Sequence, residues 1–252
     1  MQIDLLGPLR ILRNGTDITP SAPKLRQVFT LLATYQNGVV PPELFVKELW
    51  ECGPPATVTA TLQTYIYQLR KMLGLARDHN ENRIPPALKT CHGGYSLSLP
   101  SSALDSHRFE SAVHQGSQQI ENGDFYEAAT SLAEALRLWR GPAFADVEPG
   151  PVLRGERLRL EELRKAALER RIEADLKLGR HNELVGELSG LLSRTPTNER
   201  FATQLMLALH RSGNRAEALR VYERVRANLN EELGISPLPE LQRLHTAVLN
   251  SD

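Results

Sequence analysis

Apolar residues at the start of the chain recur with a period near two, which is typical of strands with one buried face. Over residues 1–19 these positions are Ile3, Leu5, Leu9 and Ile11. The dipeptide Asn14-Gly15 follows them, and between extended segments it is a strong hairpin signal. The pattern therefore predicts a short antiparallel sheet at the N-terminus.

The spacing then becomes helical in three segments, each bounded by proline or glycine. The segments run from Pro23 to Asn37-Gly38, from Pro41-Pro42 to Gly53-Pro54-Pro55, and from Thr57 to Leu73. Residues 88–99 are again extended, with Gly93-Gly94 as a turn. Strands, three helices and a hairpin form the element order of a winged helix-turn-helix with an extra N-terminal sheet.

The third predicted helix has two contrasting faces at 100° per residue. The apolar face consists of Leu62, Ile66, Leu69 and Leu73. The opposite face, which has no acidic residue, consists of Thr57, Thr61, Thr64, Gln68 and Lys71. Threonine is a poor helix former, whereas Thr and Gln suit base edges in the DNA major groove. A polar solvent-facing surface with threonine by chance is the alternative.

After residue 100 the pattern is almost purely helical and contains a repeat. Gly179 and Gly213 lie 34 residues apart, the tetratricopeptide period, and Gly123 begins a third copy 56 residues before Gly179. The extra chain between these copies includes the loop-like residues 141–146. A generic helical bundle is the alternative. We place a domain border near residues 100–104, which predicts domains over 1–100 and 101–252 in a mainly α chain with a small β part.

Composition narrows the function classes. The chain has 252 residues, no net charge and 41% apolar residues, so it is neither a disordered polyelectrolyte nor, for lack of a long apolar run, a membrane-spanning protein. No secretion signal begins it, and we expect a cytoplasmic protein. Residues 1–100 hold ten basic and seven acidic residues, which is compatible with a polyanionic partner.

Catalytic and metal-binding patterns are missing from the sequence. The seven histidines are scattered, and the two cysteines, Cys52 and Cys91, are too few and too far apart for a zinc knuckle. We therefore expect no enzyme activity, no metal and no cofactor.

Several strings along the chain resemble one family of bacterial regulators. They are QIDLLGPL (2–9), PKLRQV (23–28), TLQTYIYQLRK (61–71), GGY (93–95), LWRGPA (138–143), RIEADLKLGRH (171–181), MLALHRSG (206–213) and EELGI (231–235). The chain resembles a small member of the Streptomyces antibiotic regulatory protein family, the activators of antibiotic gene clusters.

The resemblance implies an OmpR-like winged-helix domain followed by a bacterial transcriptional activation domain of tetratricopeptide repeats. It further implies that two protomers bind side by side on double-stranded DNA, at direct repeats overlapping the −35 region, and recruit RNA polymerase holoenzyme. Larger members add an ATPase domain, but this chain has no phosphate-binding loop motif.

Site residues follow from the resemblance by position. The base-reading residues are Thr57, Thr61, Thr64 and Gln68, and the residues that hold the DNA backbone are Lys24, Arg26, Arg70 and Lys71. His92 stands in the wing where many members have arginine, which weakens minor-groove contact. The polymerase-contact loop contains Trp50, Glu51, Pro54 and Pro55. For Lys24 the alternative is a lysine that faces solvent at the start of a helix. For the polymerase-contact loop the alternative is an ordinary tight turn.

A second class of function is an adaptor whose repeats hold a protein or small ligand, with the winged helix as a docking module. A third alternative combines the two functions: a small ligand bound by the repeats changes the affinity of the protein for DNA. The acid-free face of the third helix favours the DNA-binding activator.

Overall fold

The computed structural model describes residues 1–51, 53–74 and 87–251. Within these ranges the chain forms ten α-helices and five short β-strands, which confirms a mainly α fold with a small β part. None of the helices found in the described ranges combines the length and the apolar character that a membrane crossing needs.

The N-terminal sheet is antiparallel, in the order β1 (Gln2–Asp4), β2 (Arg10–Arg13) and β3 (Thr16–Asp17). Arg13 pairs with Thr16 across the turn, where Asn14 and Gly15 have φ of 51° and 81°. Positive φ at both central turn positions is why Asn-Gly suits this place. The predicted hairpin is therefore confirmed.

Three helices and a second hairpin follow: α1 (Pro23–Thr34), α2 (Pro42–Leu49), α3 (Val58–Met72), β4 (Ala87–Cys91) and β5 (Gly94–Ser98). The helix bounds agree with the predicted segments to within a few residues. Val40, just before α2, exchanges backbone hydrogen bonds of 2.8 and 3.0 Å with Tyr95 of β5. This bridge fixes the hairpin beside the entry to α2.

After a short 3₁₀ turn (Ser101–Ala103) the described chain is mainly helical, with a non-helical stretch over residues 138–150. The helices are α4 (Asp105–Asn122), α5 (Phe125–Arg137), α6 (Pro151–Lys177), α7 (His181–Arg194), α8 (Glu199–Arg211), α9 (Arg215–Leu233) and α10 (Pro239–Asn250). A continuous apolar core joins the end of α6 to α7–α10, and its fully enclosed side chains include Ile172, Leu188, Met206 and Val225.

The three glycines of the predicted repeat occupy equivalent turns. Gly123, Gly179 and Gly213 follow the ends of α4, α6 and α8, with φ between 81° and 84°. In each turn the next residue donates its backbone N–H to a carbonyl five residues back, at 2.8 to 3.1 Å. Glycine takes this left-handed conformation without strain, so the prediction that each one closes a helix is confirmed.

Spatial contacts divide the chain into two compact units, each made of two stretches. The first contains Met1–Ala112 and Glu134–Lys165, and the second contains Val113–Ala133 and the chain from Ala166 onward. The stretch 134–165 therefore packs with the N-terminal elements. The predicted domains 1–100 and 101–252 remain a prediction.

Candidate nucleic-acid interface

Helix α3 presents one apolar face and one polar face, as its sequence pattern predicts. Leu62, Ile66 and Leu69 are at most 3% exposed. Thr64 and Gln68, on the opposite side, are exposed, and Thr57 is the exposed residue that precedes the first turn. Hydrophobic burial therefore fixes the rotation of α3 and leaves its polar side accessible.

The hydroxyl groups of Thr61 and Thr64 already form hydrogen bonds within α3. Thr61 Oγ1 donates to the carbonyl of Thr57 at 3.0 Å, and Thr64 Oγ1 donates to that of Ala60 at 2.9 Å. Each oxygen keeps lone pairs that can accept another hydrogen bond, and each methyl group remains available for apolar contact. This leaves Thr61 and Thr64 suited to accept from a base amino group or to touch a thymine methyl group.

The exposed face of α3 is wider than the sequence argument recognised. Ala60 and Tyr67 lie within 60° of Thr64 on the helical wheel. Tyr67 is 61% exposed, and Ala60 is also exposed. Tyr67 lies three residues after Thr64, and this i, i+3 spacing places it on the same side of the helix. The face thus carries a large aromatic ring with a hydroxyl group beside the threonines.

The two basic residues at the end of α3 differ in their surroundings. Arg70 Nε donates to the carbonyl of Leu88 at 3.0 Å, and its Nη2 donates to Thr90 Oγ1 at 2.8 Å. Lys71 is exposed and has no side-chain partner among the described residues. The structure therefore shows Arg70 tying α3 to the second hairpin and leaves Lys71 as the accessible cation.

The basic residues at the start of α1 have intramolecular partners. Lys24 Nζ donates to the Leu49 carbonyl at 2.7 Å and to Gln27 Oε1 at 3.1 Å. Arg26 is 16% exposed and forms an ion pair with Asp146. The predicted phosphate contacts of both residues remain predictions, and the role that the structure shows is to join α1 to neighbouring segments.

The segment between α2 and α3 holds the predicted polymerase-contact residues. Trp50 ends α2 and is half-buried, whereas Pro54 and Pro55 are exposed. Glu51 forms an ion pair with Arg154 of α6. Cys52 lies outside the described residues.

The predicted wing residue lies at the tip of the second hairpin. His92 is exposed in the turn between β4 and β5, next to Gly93 with φ of 87°. A side chain at this tip is free to approach a groove or a phosphate.

A buried carboxylate that sequence reasoning missed connects α2 to α6. Glu48 is 2% exposed. Its two oxygens accept hydrogen bonds from the backbone N–H groups of Gly150 at 2.6 Å, Val152 at 2.9 Å and Leu153 at 3.2 Å. A carboxylate at a helix N-terminus accepts hydrogen bonds from the unpaired backbone N–H groups of the first turn. Its negative charge also interacts favourably with the positive end of the helix dipole. The detectable signal is a charged residue between Phe45 and Leu49 on the buried side of α2.

The turn between β1 and β2 is held by two further acidic residues that the sequence did not single out. Asp105, which is 2% exposed, accepts from the N–H groups of Leu5 at 2.7 Å and Leu6 at 3.0 Å. Asp146 accepts from the N–H of Leu9 at 2.7 Å. Burial raises the pKa of Asp105, and its two backbone hydrogen bonds act in the opposite direction.

Backbone hydrogen bonds reinforce the same contact. Arg140 donates its N–H to the Leu6 carbonyl at 2.7 Å, and Phe144 donates to that of Leu5 at 3.0 Å. Residues 140–146 thus form a clasp on the β1–β2 turn, and they include the stretch 141–146 that was expected to be loop-like. The clasp and the Glu48 contact both lie within the first compact unit.

Comparison with known proteins identifies the family. The bacterial transcriptional activator domain model matches residues 104–249. Regulatory protein DnrI from Streptomyces peucetius is 44% identical, over 100% of this chain and 93% of DnrI. Transcriptional regulator RedD from Streptomyces coelicolor is 34% identical, over 100% of this chain and 71% of RedD.

Other relatives extend beyond the region that this chain matches. Regulatory protein AfsR from Streptomyces griseus is 35% identical, and the match spans 25% of its length. The solved structure of Mycobacterium tuberculosis EmbR in complex with a low affinity phosphopeptide superposes with a TM-score of 0.91 at 32% identity, over 98% of this chain and 64% of that one. The chain therefore belongs to the Streptomyces antibiotic regulatory protein family of transcriptional regulators.

Proposed function

We propose that the chain is a sequence-specific DNA-binding activator of a secondary-metabolite gene cluster, with an OmpR-like winged helix over residues 1–100. The observation that carries this proposal is the exposed, acid-free face of α3, on which Thr64 and Gln68 lie opposite a buried apolar stripe. A polar helix face without carboxylates suits the major groove, because a carboxylate there would be repelled by the phosphates.

Base and backbone contacts divide along α3. Thr57, Thr61, Thr64 and Gln68 contact base edges. Gln68 is suited to a bidentate contact with adenine. Lys71, the accessible cation, holds a phosphate. His92 of the hairpin turn approaches the minor groove as a weak contact.

The remaining partners follow from the family. Two protomers bind direct repeats near the −35 region, and the segment containing Trp50, Glu51, Pro54 and Pro55 meets RNA polymerase holoenzyme. Such partners belong in the cytoplasm. The helices of residues 101–252 form an activation domain of tetratricopeptide-like repeats, which the three equivalent glycine turns support.

DNase I footprinting on promoters of the neighbouring genes tests this proposal. The test variant is Thr64→Ala/Gln68→Ala. The control is Gln242→Ala/Thr246→Ala, which removes the same two residue types from the exposed side of α10, at the same four-residue separation. We expect two protected repeats with the wild type and the control, and their loss with the test variant.

The outcomes test base reading by α3 and DNA binding separately. Protection that persists in the test variant would contradict base reading by α3. Absence of protection by the wild type at low salt would contradict DNA binding at those promoters and favour the adaptor function.

A further inference from the structure

A groove in the second compact unit is built from α6, α8 and α10. It has a volume of about 490 Å³, within the range of ligand-binding pockets. The lining residues of α8 extend from Glu199 to Arg211, which corresponds to about 18 Å along the helix axis at 1.5 Å per residue. This length matches about five residues of extended peptide.

Four leucines contribute apolar lining to the groove. Leu176, Leu207, Leu238 and Leu241 all line it. Leu238 is 59% exposed although it lies beside the largely buried Leu241. An apolar side chain placed over Leu238 would remove its exposed surface from water.

A buried acceptor without a partner also lines the groove. Gln204 is 7% exposed, and its Nε2 donates to the Glu169 carbonyl at 2.9 Å. Its Oε1 has no hydrogen-bond donor within the described part of the chain. This oxygen has almost no accessible surface, so Gln204 forms part of the wall of the groove and does not offer an open acceptor to a ligand.

Most of the acidic side chains that line the groove already pair with other groups of the protein. Glu173 pairs with Arg200 at 3.1 Å, and Glu199 accepts from the backbone N–H of Leu238 at 2.6 Å. Glu240 lies in the first turn of α10, where the helix dipole favours a negative charge.

Two cations of the groove have no ion-pair partner in the ranges that the structure describes. Lys177 and Arg211, in the last turns of α6 and α8, have no carboxylate within 4.0 Å among the described residues. Burial lowers the pKa of His181, and the charge of Arg211 lowers it further. Within the described part of the chain, the charge of Arg211 therefore has no ion-pair partner.

We propose that this groove binds a short peptide segment of another protein that combines apolar and acidic side chains. The apolar side chains pack on Leu207 and Leu238, and a carboxylate pairs with Lys177 and Arg211. The elongated shape favours a peptide over a small organic anion. This site is independent of the DNA-binding face on α3.

A library of random octapeptides with free C-termini, displayed on beads and probed with the labelled full chain, tests the proposal. The test variant is Lys177→Glu/Arg211→Glu. The control is Arg194→Glu, which reverses a charge in the last turn of α7, outside the groove. We expect the wild type and the control to select peptides rich in Leu, Ile or Phe together with Asp or Glu.

Fluorescence anisotropy on one selected peptide then gives the dissociation constant. The test variant is expected to bind at least about tenfold more weakly, since loss of 1.4 kcal/mol corresponds to that factor.

Three results would overturn the proposal: no enrichment, selection of cationic peptides, or equal affinity of the test variant. Stabilisation of the wild type by succinate without any peptide enrichment would assign the groove to small anions and reject a peptide. Footprints run in parallel on the same variants should be unchanged, so a failure of this site is distinguishable from a failure of DNA binding.

Discussion

Glu48 accepts a 2.6 Å hydrogen bond from the backbone N–H of Gly150, a residue 102 positions later in the chain. The same carboxylate receives two further N–H groups from the first turn of α6. Gln27 of α1 donates to the Glu48 carbonyl at 2.8 Å, so α1, α2 and α6 meet at one residue. The helix that precedes the predicted polymerase-contact loop is thereby fixed to the region matched by the activator-domain model.

Replacing Glu48 by glutamine should destabilise the first compact unit by about 2–4 kcal/mol. The amide group would place N–H donors against backbone N–H donors in a buried site. Urea unfolding followed by circular dichroism measures the change. Glu51→Gln, three residues later, removes an exposed ion pair with Arg154 and should cost less than about 1 kcal/mol. Equal effects of the two variants would contradict the capping role of Glu48.

A methyl group at position 150 should also disrupt this contact. A Cβ atom on Gly150 would lie 2.1 Å from the Glu48 carbonyl oxygen, whereas one on Gly155 meets nothing within 4 Å. Gly150→Ala should therefore lower the melting temperature, and Gly155→Ala in the interior of α6 should stabilise by about 1 kcal/mol through helix propensity. Thermal melts of both variants test this, and a harmless Gly150→Ala would show that the backbones are not in close contact.

The buried carboxyl group of Asp105 should give stability a recognisable pH dependence. Burial, the largest cause, raises its pKa in the folded state. The folded protein then holds this proton more tightly than the unfolded chain, so the contribution of Asp105 to stability falls as pH rises through the folded-state pKa. The difference in unfolding free energy between wild type and Asp105→Asn should therefore decrease from about pH 4 towards neutrality.

Asp17 provides a control of opposite sign for this measurement. Hydrogen bonds from Thr19 lower the pKa of Asp17. The difference in unfolding free energy between wild type and Asp17→Asn should rise with pH across the acidic range. It should be lost as pH falls through the folded-state pKa of Asp17. A difference for Asp105 that also rises with pH would contradict the effect of burial.

The salt dependence of DNA binding tests the role of Lys71. If its ammonium group holds one phosphate, Lys71→Gln should make the slope of log K against log salt concentration shallower by about 0.9. Lys165→Gln, an equal change of charge at an exposed position of α6, should leave the slope unchanged. Fluorescence anisotropy at several salt concentrations gives both slopes, and an unaltered slope for Lys71→Gln would exclude a direct phosphate contact.

Features governed by local periodicity could be predicted from the sequence. The Asn14-Gly15 hairpin, the buried stripe of Leu62, Ile66 and Leu69, and the left-handed turn at Gly213 each depend on residues close together in the chain. Local backbone preference and hydrophobic spacing are sufficient for such elements. The exposed threonine face was predicted on the same basis, whereas its contact with DNA remains a prediction.

The polar contacts of the first compact unit could not be predicted in this way. Glu48 and Asp105 bind backbone N–H groups about a hundred positions away, and a backbone N–H leaves no signature in the sequence. The intramolecular partners of Arg26 and Arg70 were unpredictable for the same reason, because folding brings these partners close to the two guanidinium groups. The phosphate contacts expected of both residues remain predictions. A charged residue in the sequence therefore indicated which kinds of group its side chain can bind, but it did not identify the group that it binds in the fold.

The division of the first compact unit into two stretches has a consequence for synthesis of the protein. The N-terminal sheet and helices α1–α3 leave the ribosome before residues 134–165, which supply the clasp and the N-terminus of α6. At 5–20 residues per second, roughly 3 to 13 seconds separate residue 100 from residue 165. During most of that interval Glu48 lacks its N–H donors at the start of α6, and the β1–β2 turn has only Asp105. This unit therefore completes its folding only after residues 140–153 have been made.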